Sequence, residues 1–134
     1  MPRARVTKRV QFAAGHHLSR PEFSDEENRR VFGGCHRLHG HNYDLEVTVE
    51  GEVDPSTGFV IELGALKDRL HELVVDEIDH RTLNDVPLME GLNPTVENLA
   101  VQIWGRLAGQ LGSLTLISVK LWETERNIAE YRGE

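Results

Sequence analysis

His16, His39 and His41, with Cys35 close by, are the residue types that bind metal ions and move protons. In the run Cys35-His36-Arg37-Leu38-His39-Gly40-His41 the only cysteine stands four residues before a His-Gly-His pair, which flows into an alternating segment. If His39 and His41 open the extended run Asn42 to Val53, their side chains share one face, and two neutral imidazoles can meet one ion. Upstream, Val10, Phe12, Ala14 and His16 also alternate, so His16 lies on the apolar face of another strand. Antiparallel pairing of the two strands would close a three-histidine site. Three histidines leave the fourth position on zinc open, as in catalytic rather than structural zinc. Spacing alone leaves a second reading open, in which the histidines are satisfied core residues and His-Gly-His is a turn. A Cys/His zinc finger is disfavoured, because one cysteine cannot supply paired thiolates.

The elements that must position these residues are legible in outline. With 134 residues, 39% of them hydrophobic, the chain is expected to be a single domain, 1–134, able to bury a core without staples. The lone cysteine excludes an internal disulfide framework and suits a reducing cytosol, so a cytoplasmic location is expected. No apolar h-region follows the basic start and no long apolar run occurs, which predicts neither export nor a membrane span. A formal net charge of −7 argues against bulk nucleic-acid binding and leaves any anionic substrate to a local cationic pocket.

The order read from periodicity is strand, loop, strand, helix, helix, strand. The first strand runs from about Arg5 to Leu18, and Ser19 to Gly34 reads as a long polar loop. Tyr43, Leu45, Val47 and Val49 alternate with Asp44, Glu46, Thr48 and Glu50, giving a second strand with one wetted face. Asp54-Pro55-Ser56-Thr57-Gly58 predicts a turn, followed by a short returning strand Phe59-Val60-Ile61. Leu63, Leu66, Leu70, Leu73 and Val74 mark the apolar side of a first helix. Asn93-Pro94 announces a second helix as cap and first-turn proline, continuing through Val96, Leu99, Ala100, Ile103 and Leu107. The last strand spans Leu114 to Glu123. The class is α+β, an antiparallel sheet covered by two helices, whose exposed edges invite oligomerisation.

Six motifs in order carry a resemblance. Phe12-Ala-Ala-Gly-His16, Cys35-xxx-His39-Gly-His41-Asn-Tyr43, Asp54-Pro-Ser-Thr-Gly58, Ile78-Asp79-His80 with Leu83-Asn84, Asn93-Pro-Thr-Val-Glu-Asn98 and Trp122-Glu123-Thr resemble the 6-pyruvoyl-tetrahydropterin synthase / 6-carboxy-tetrahydropterin synthase family. The resemblance implies a tunnelling fold (T-fold) whose sheets join in trimers as a β-barrel, two trimers making a homohexamer. It also implies a zinc (Zn2+) lyase acting on 7,8-dihydroneopterin triphosphate. By the same resemblance His16, His39 and His41 match the zinc ligands and Cys35 the catalytic cysteine. Asp79 and His80 match an acid/base pair supplied by a neighbouring subunit. Glu123 matches the carboxylate that holds the pterin ring, with Thr95 and Glu97 in a second pterin-side motif.

These residue types suit the roles. A nearby cation favours the thiolate of Cys35, which can then remove a side-chain proton. His80, oriented by Asp79, can relay one. Glu123 can accept two N–H donors from the pterin's guanidine-like edge. From the residues alone, Asp79-His80 reads rather as a helix-end feature, and Glu123 as a solvated strand end and Cys35 as a buried small hydrophobe stay open as alternatives. His17, His36 and His71 are read as non-ligands.

The three-residue gap between Cys35 and His39 resembles the carboxy branch of queuosine and deazapurine biosynthesis. Ser24-Asp25-Glu26-Glu27-Asn28 and the ending Asn127 to Glu134 look more like the pyruvoyl enzymes. The gap tips the expectation to a 6-carboxytetrahydropterin synthase releasing triphosphate and acetaldehyde, with a pyruvoyl synthase as the alternative. An aldolase-like enzyme and a non-catalytic metal- or pterin-binding module are further alternatives.

Overall fold

The computed structural model describes residues 1–134. Two strands of 14 residues, β1 (Arg3–His16) and β2 (His39–Glu52), pair antiparallel along their whole length, from Arg3 opposite Glu52 to His16 opposite His39. β3 (Arg81–Thr82) lies parallel against Ala14 and Gly15, while β4 (Thr115–Trp122) and β5 (Ile128–Tyr131) extend the other side. The strand order is β3-β1-β2-β4-β5.

Alternation decides which face is dry. Val10, Phe12, Ala14, Tyr43, Leu45, Val47, Val49, Val119 and Leu121 all point to one side and are buried there. Burying each large apolar side chain contributes roughly 1.5–3 kcal/mol relative to leaving it in water. The opposite face is wet and carries cross-strand pairs: Arg5 with Glu50, Arg9 with Glu46, and the Thr7 and Thr48 hydroxyls 2.7 Å apart.

Two helical segments cover the dry face. α2 (Leu63–Leu70) is capped by Glu62, whose carboxylate accepts from the Gly64 and Ala65 amides, and runs through a π segment (His71–Val75) into α3 (Asp76–Ile78). The wider turn lets adjacent Val74 and Val75 both face the core, with Leu66, Leu70 and Ile78. Leu63, expected on that face, is exposed, and Leu73 is half-buried. α4 (Val96–Leu107) buries Leu99, Ala100, Ile103 and Leu107. Glu77 joins the two helices through Arg106 and accepts the Leu88 amide. No helix is long and apolar enough to cross a membrane.

The α+β class and the order of the long elements agree with the sequence reading, with local corrections. The expected loop Ser19–Gly34 contains α1 (Asp25–Phe32), capped by Ser24 and acidic in its first turn. It has no apolar stripe, since its only buried residue is Asn28, so periodicity could not reveal it. Phe59–Ile61 is not a strand; it crosses directly from the Asp54–Gly58 turn to Glu62. The cap of α4 is Thr95 and not Asn93, because the Thr95 hydroxyl accepts the Asn98 amide. β3 and β5 were not anticipated, being only two and four residues long.

Asn28 clips the chain between β1 and α1: its Oδ1 accepts the Arg20 amide at 2.8 Å and its Nδ2 donates to the Arg20 carbonyl at 3.2 Å. Asn28→Ala strips both partners from that backbone and is expected to cost about 1–3 kcal/mol. Urea unfolding of the two proteins measures the difference, and an unchanged midpoint would show the clip to be inert.

Candidate active site

The β1–β2 ladder ends on its chemistry. His16 is the last residue of β1 and faces His39, the first of β2, with His41 two residues along on the same face. Their ligand nitrogens lie within 4.8 Å of one another, and their ring centroids are 4.6–5.1 Å apart. His16 Nδ1 is 2.7 Å from the Pro94 carbonyl and His39 Nδ1 is 2.7 Å from the Arg37 carbonyl. A carbonyl only accepts, so both Nδ1 atoms carry the proton, which leaves each Nε2 with a lone pair. His16 Nε2 and His41 Nε2 are buried without a partner. Buried polar nitrogens are rarely left orphaned, and neutral imidazoles with free lone pairs aimed at one point are the donor set of a divalent transition metal.

Burial, the largest influence on both, holds His16 and His41 below the ordinary imidazole value of 6.5; the Glu123 carboxylate pulls the other way and loses. Glu123 follows β4 and sits in the β4–β5 turn, where its amide donates to the Asn127 carbonyl. Its Oε2 is 3.8 Å from His16 Nε2, and no donor within the chain hydrogen-bonds its carboxylate. Glu97, in the first turn of α4, lines with Glu123 a recess of about 570 Å3. The Thr95 hydroxyl accepts the Asn98 amide as the cap of α4.

Tyr43, next on the period-two face after His41, was not singled out from sequence as a site residue. It is fully buried, stacked on Phe12 at 4.8 Å, and its hydroxyl has no partner. Burial, reinforced by Glu123, pushes its ionisation well above the usual phenol range, so it stays a proton-bearing donor beside the histidines.

Cys35 lies in an exposed 3-10 turn, Gly33–His36, and not in the core. The Leu18 amide donates to the Cys35 carbonyl at 2.8 Å, tying the turn to the chain just beyond His16. Asp79 and His80 follow α3. The Asp79 carboxylate accepts the Ala13 amide at 3.0 Å and stands 2.9 Å from His80 Nδ1; the amide bond, above all, holds it below the usual carboxylate range. His80 has φ of 60°, a left-handed conformation that few side chains adopt, and its amide donates to the Ala13 carbonyl. The His80 ring is mostly exposed, and no hydrogen bond or ion pair links it to His16 or Glu123. With His41 it lines a shallow depression of about 450 Å3. His17, His36 and His71 stand outside the histidine cluster.

This α+β fold with its five-stranded sheet is the T-fold, shared with the solved structures it matches. The family described as "6-pyruvoyl tetrahydropterin synthase" matches residues 5–134. The chain is 45% identical to "6-pyruvoyl tetrahydrobiopterin synthase" of Pongo abelii, covering 98% of this chain and 92% of that protein. It is 42% identical to the protein of the same name from Dictyostelium discoideum, covering 96% of each. The solved structure of Caenorhabditis elegans 6-pyruvoyl tetrahydropterin synthase superimposes with a TM-score of 0.90 at 36% identity, covering 100% of this chain and 98% of that one. The chain belongs to the 6-pyruvoyl tetrahydropterin synthase family, a family of enzymes.

These relatives overturn the expected carboxy branch, and with it the queuosine pathway and the carbon–carbon cleavage that releases acetaldehyde. The gap from Cys35 to His39 measures only how a 3-10 turn joins β2. It does not report what happens to a substrate side chain.

The depressed imidazoles set a pH dependence for the metal-free protein. A folded-state value below the unfolded one means the unfolded chain binds more protons near pH 6.5, so stability is full above about 6.5 and falls as pH drops through the lowered values. Thermal midpoints of metal-free protein across this range should fall on the acid side. His16→Phe, which keeps the bulk and removes the proton site, should flatten that fall; an unchanged profile would show His16 to be uninvolved.

Proposed function

We propose that this chain is a zinc-dependent carbon–oxygen lyase that converts 7,8-dihydroneopterin triphosphate to 6-pyruvoyl-tetrahydropterin and triphosphate. The observation that carries the reading is the convergence of three imidazoles with an unpaired carboxylate 3.8 Å away, in a chain whose relatives at 42–45% identity bear the pyruvoyl synthase name. His16, His39 and His41 would hold zinc through their Nε2 atoms, and the ion would supply Lewis-acid stabilisation of charge on the substrate's side-chain oxygens.

The chain's own groups do the rest. Glu123 accepts two N–H donors of the pterin ring, which orients the side chain toward the histidines; Glu97, on the same recess, extends that surface from the helix that Thr95 caps. Cys35 as thiolate removes a side-chain proton. His80, with its Nδ1 proton held by Asp79, takes a substrate hydroxyl proton on Nε2 and returns it to the substrate skeleton, and Cys35 gives back the proton it removed, so both groups end as they began. The electrons that reduce the ring come from the oxidised side-chain carbon and triphosphate leaves by elimination, so no external reductant is needed. In the reading, Asp79 and His80 serve a neighbouring subunit's site within a hexamer of two trimeric barrels. The exposure of His80 supports this, as does the outer edge of β1 from Arg3 to Phe12, which has no neighbouring strand. We place the enzyme in the cytosol as one domain, without nucleic-acid or membrane partners.

Incubation of zinc-loaded protein with dihydroneopterin triphosphate, without reductant, should yield by mass spectrometry a triphosphate-free pterin that keeps all three side-chain carbons. Recovery of acetaldehyde, or of unreacted substrate, would refute the reading.

The shared site makes a second prediction. Cys35→Ala and His80→Ala should each lower turnover by roughly a hundredfold or more. Dissociated and reassembled together, the two inactive proteins should regain activity at interfaces that combine one intact half from each. Mixed oligomers verified by mass spectrometry without regained activity would place all the groups on one chain.

A further inference from the structure

Three asparagines gather where β1 runs out of neighbouring strands. Asn84 Oδ1 accepts the His17 amide at 3.0 Å and its Nδ2 donates to the His17 carbonyl at 2.9 Å, so one carboxamide replaces a strand partner. Asn93 Oδ1 accepts the Ser19 amide at 3.1 Å. These bonds hold the backbone on the far side of His16, but they do not hold its ring. Only the Pro94 carbonyl does that, since His16 Nε2 has no partner in the chain.

The direction of the Pro94 carbonyl depends on the turn that contains it. Thr95 N–H donates back to the Asn93 carbonyl at 2.8 Å, a three-residue turn centred on Pro94. Asn98 Nδ2 donates to that same carbonyl at 2.9 Å. Asn98 stands third in α4 after its Thr95 cap, where a glutamate or glutamine would bond the cap residue's own amide and complete a capping box. Asn98 instead reaches past the cap, which leaves the Thr95 amide free for the turn.

We propose that Asn98, acting through the Asn93–Pro94–Thr95 turn, is a positioning residue that aims the Pro94 carbonyl at His16 Nδ1 and so locks the tautomer and rotation of that imidazole. The inference rests on the reading of His16 as a metal ligand. Hydrogen-bonded carbonyls behind ligating histidines fix which nitrogen is free to bind, and their loss typically lowers metal affinity ten- to a hundredfold.

Asn98→Asp separates positioning from structure. A carboxylate at this position accepts the Thr95 amide, completes the capping box and favours the helix dipole, so α4 is kept or strengthened. The same change removes both donors from the Asn93 carbonyl and frees the turn. The expected result is an unfolding temperature no lower than the parent's, with zinc affinity weaker by about ten- to a hundredfold in competition with a chromophoric chelator. In 15N spectra of the metal-free proteins, above the imidazole titration range, His16 should be a single Nδ1–H tautomer in the parent and a mixture in the variant. Asn98→Ala, which removes the donor without adding charge, supplies the same readouts if Asn98→Asp fails to fold. A variant with the parent's His16 tautomer, or with the parent's zinc affinity, overturns the proposal. A parent that binds no zinc refutes the metal reading instead, and the metal-free spectra still decide what Asn98 does to His16.

Discussion

Everything at this site depends on the register of β1 against β2. The pairing that sets Val10 against Leu45 and Phe12 against Tyr43 also sets His16 against His39. Side chains in a strand alternate, so a slip of one residue would turn the whole apolar set to water and send His16 to the opposite face from His39 and His41. Hydrophobic burial and the convergence of the three histidines are therefore the same constraint. The wet face repeats the message, because Arg5 meets Glu50 and Arg9 meets Glu46 in one register only. Such exposed pairs add little stability, about 0–1 kcal/mol each, but they penalise alternatives in which like charges would meet.

That constraint explains why burial outweighs the nearby carboxylate at His16 and His41. Placing them at the dry end of the ladder desolvates His16 and His41 enough to outweigh the nearby Glu123 carboxylate, which would otherwise favour the imidazolium. His16 and His41 are thereby favoured as neutral donors, the form that can ligate an ion. Tyr43 shares the environment and responds in the opposite electrical sense, its burial keeping the hydroxyl protonated. One apolar floor thus sets the protonation of three neighbouring groups.

How much of this was legible depended on periodicity. The triad was readable because His16, His39 and His41 lie on strands whose alternation reports the buried face directly. α1 escaped because its helix shows only caps and charge bias, Ser24 and Asp25-Glu26-Glu27, with a single buried asparagine. The side-chain clips at Asn28, Asn84, Asn93 and Asn98 escaped for a related reason. A hydrogen bond between a side chain and a distant backbone leaves no repeat, so its meaning appears only when residues 17 and 84, or 16 and 94, are seen together. The product branch was misread because turn length is local geometry, whereas the outcome for a substrate is set by groups brought together from several elements.

The two halves of the proposed chemistry are held by different physics. The histidines belong to a long ladder and cannot move without unpairing it. Asp79 and His80 are held at the outer edge of that ladder by two bonds to the Ala13 backbone, with His80 forced into a left-handed conformation and its ring turned to solvent. That arrangement costs backbone strain, of order 1–3 kcal/mol at such positions. No hydrogen bond or ion pair ties that ring to His16 or Glu123 of its own chain, and it shares only a shallow depression with His41. On the proposed reading of a shared site, its anchor beside the strand-free stretch of β1 puts His80 next to the edge that another sheet would extend, so the edge that calls for a partner chain would also present the proton carrier to it.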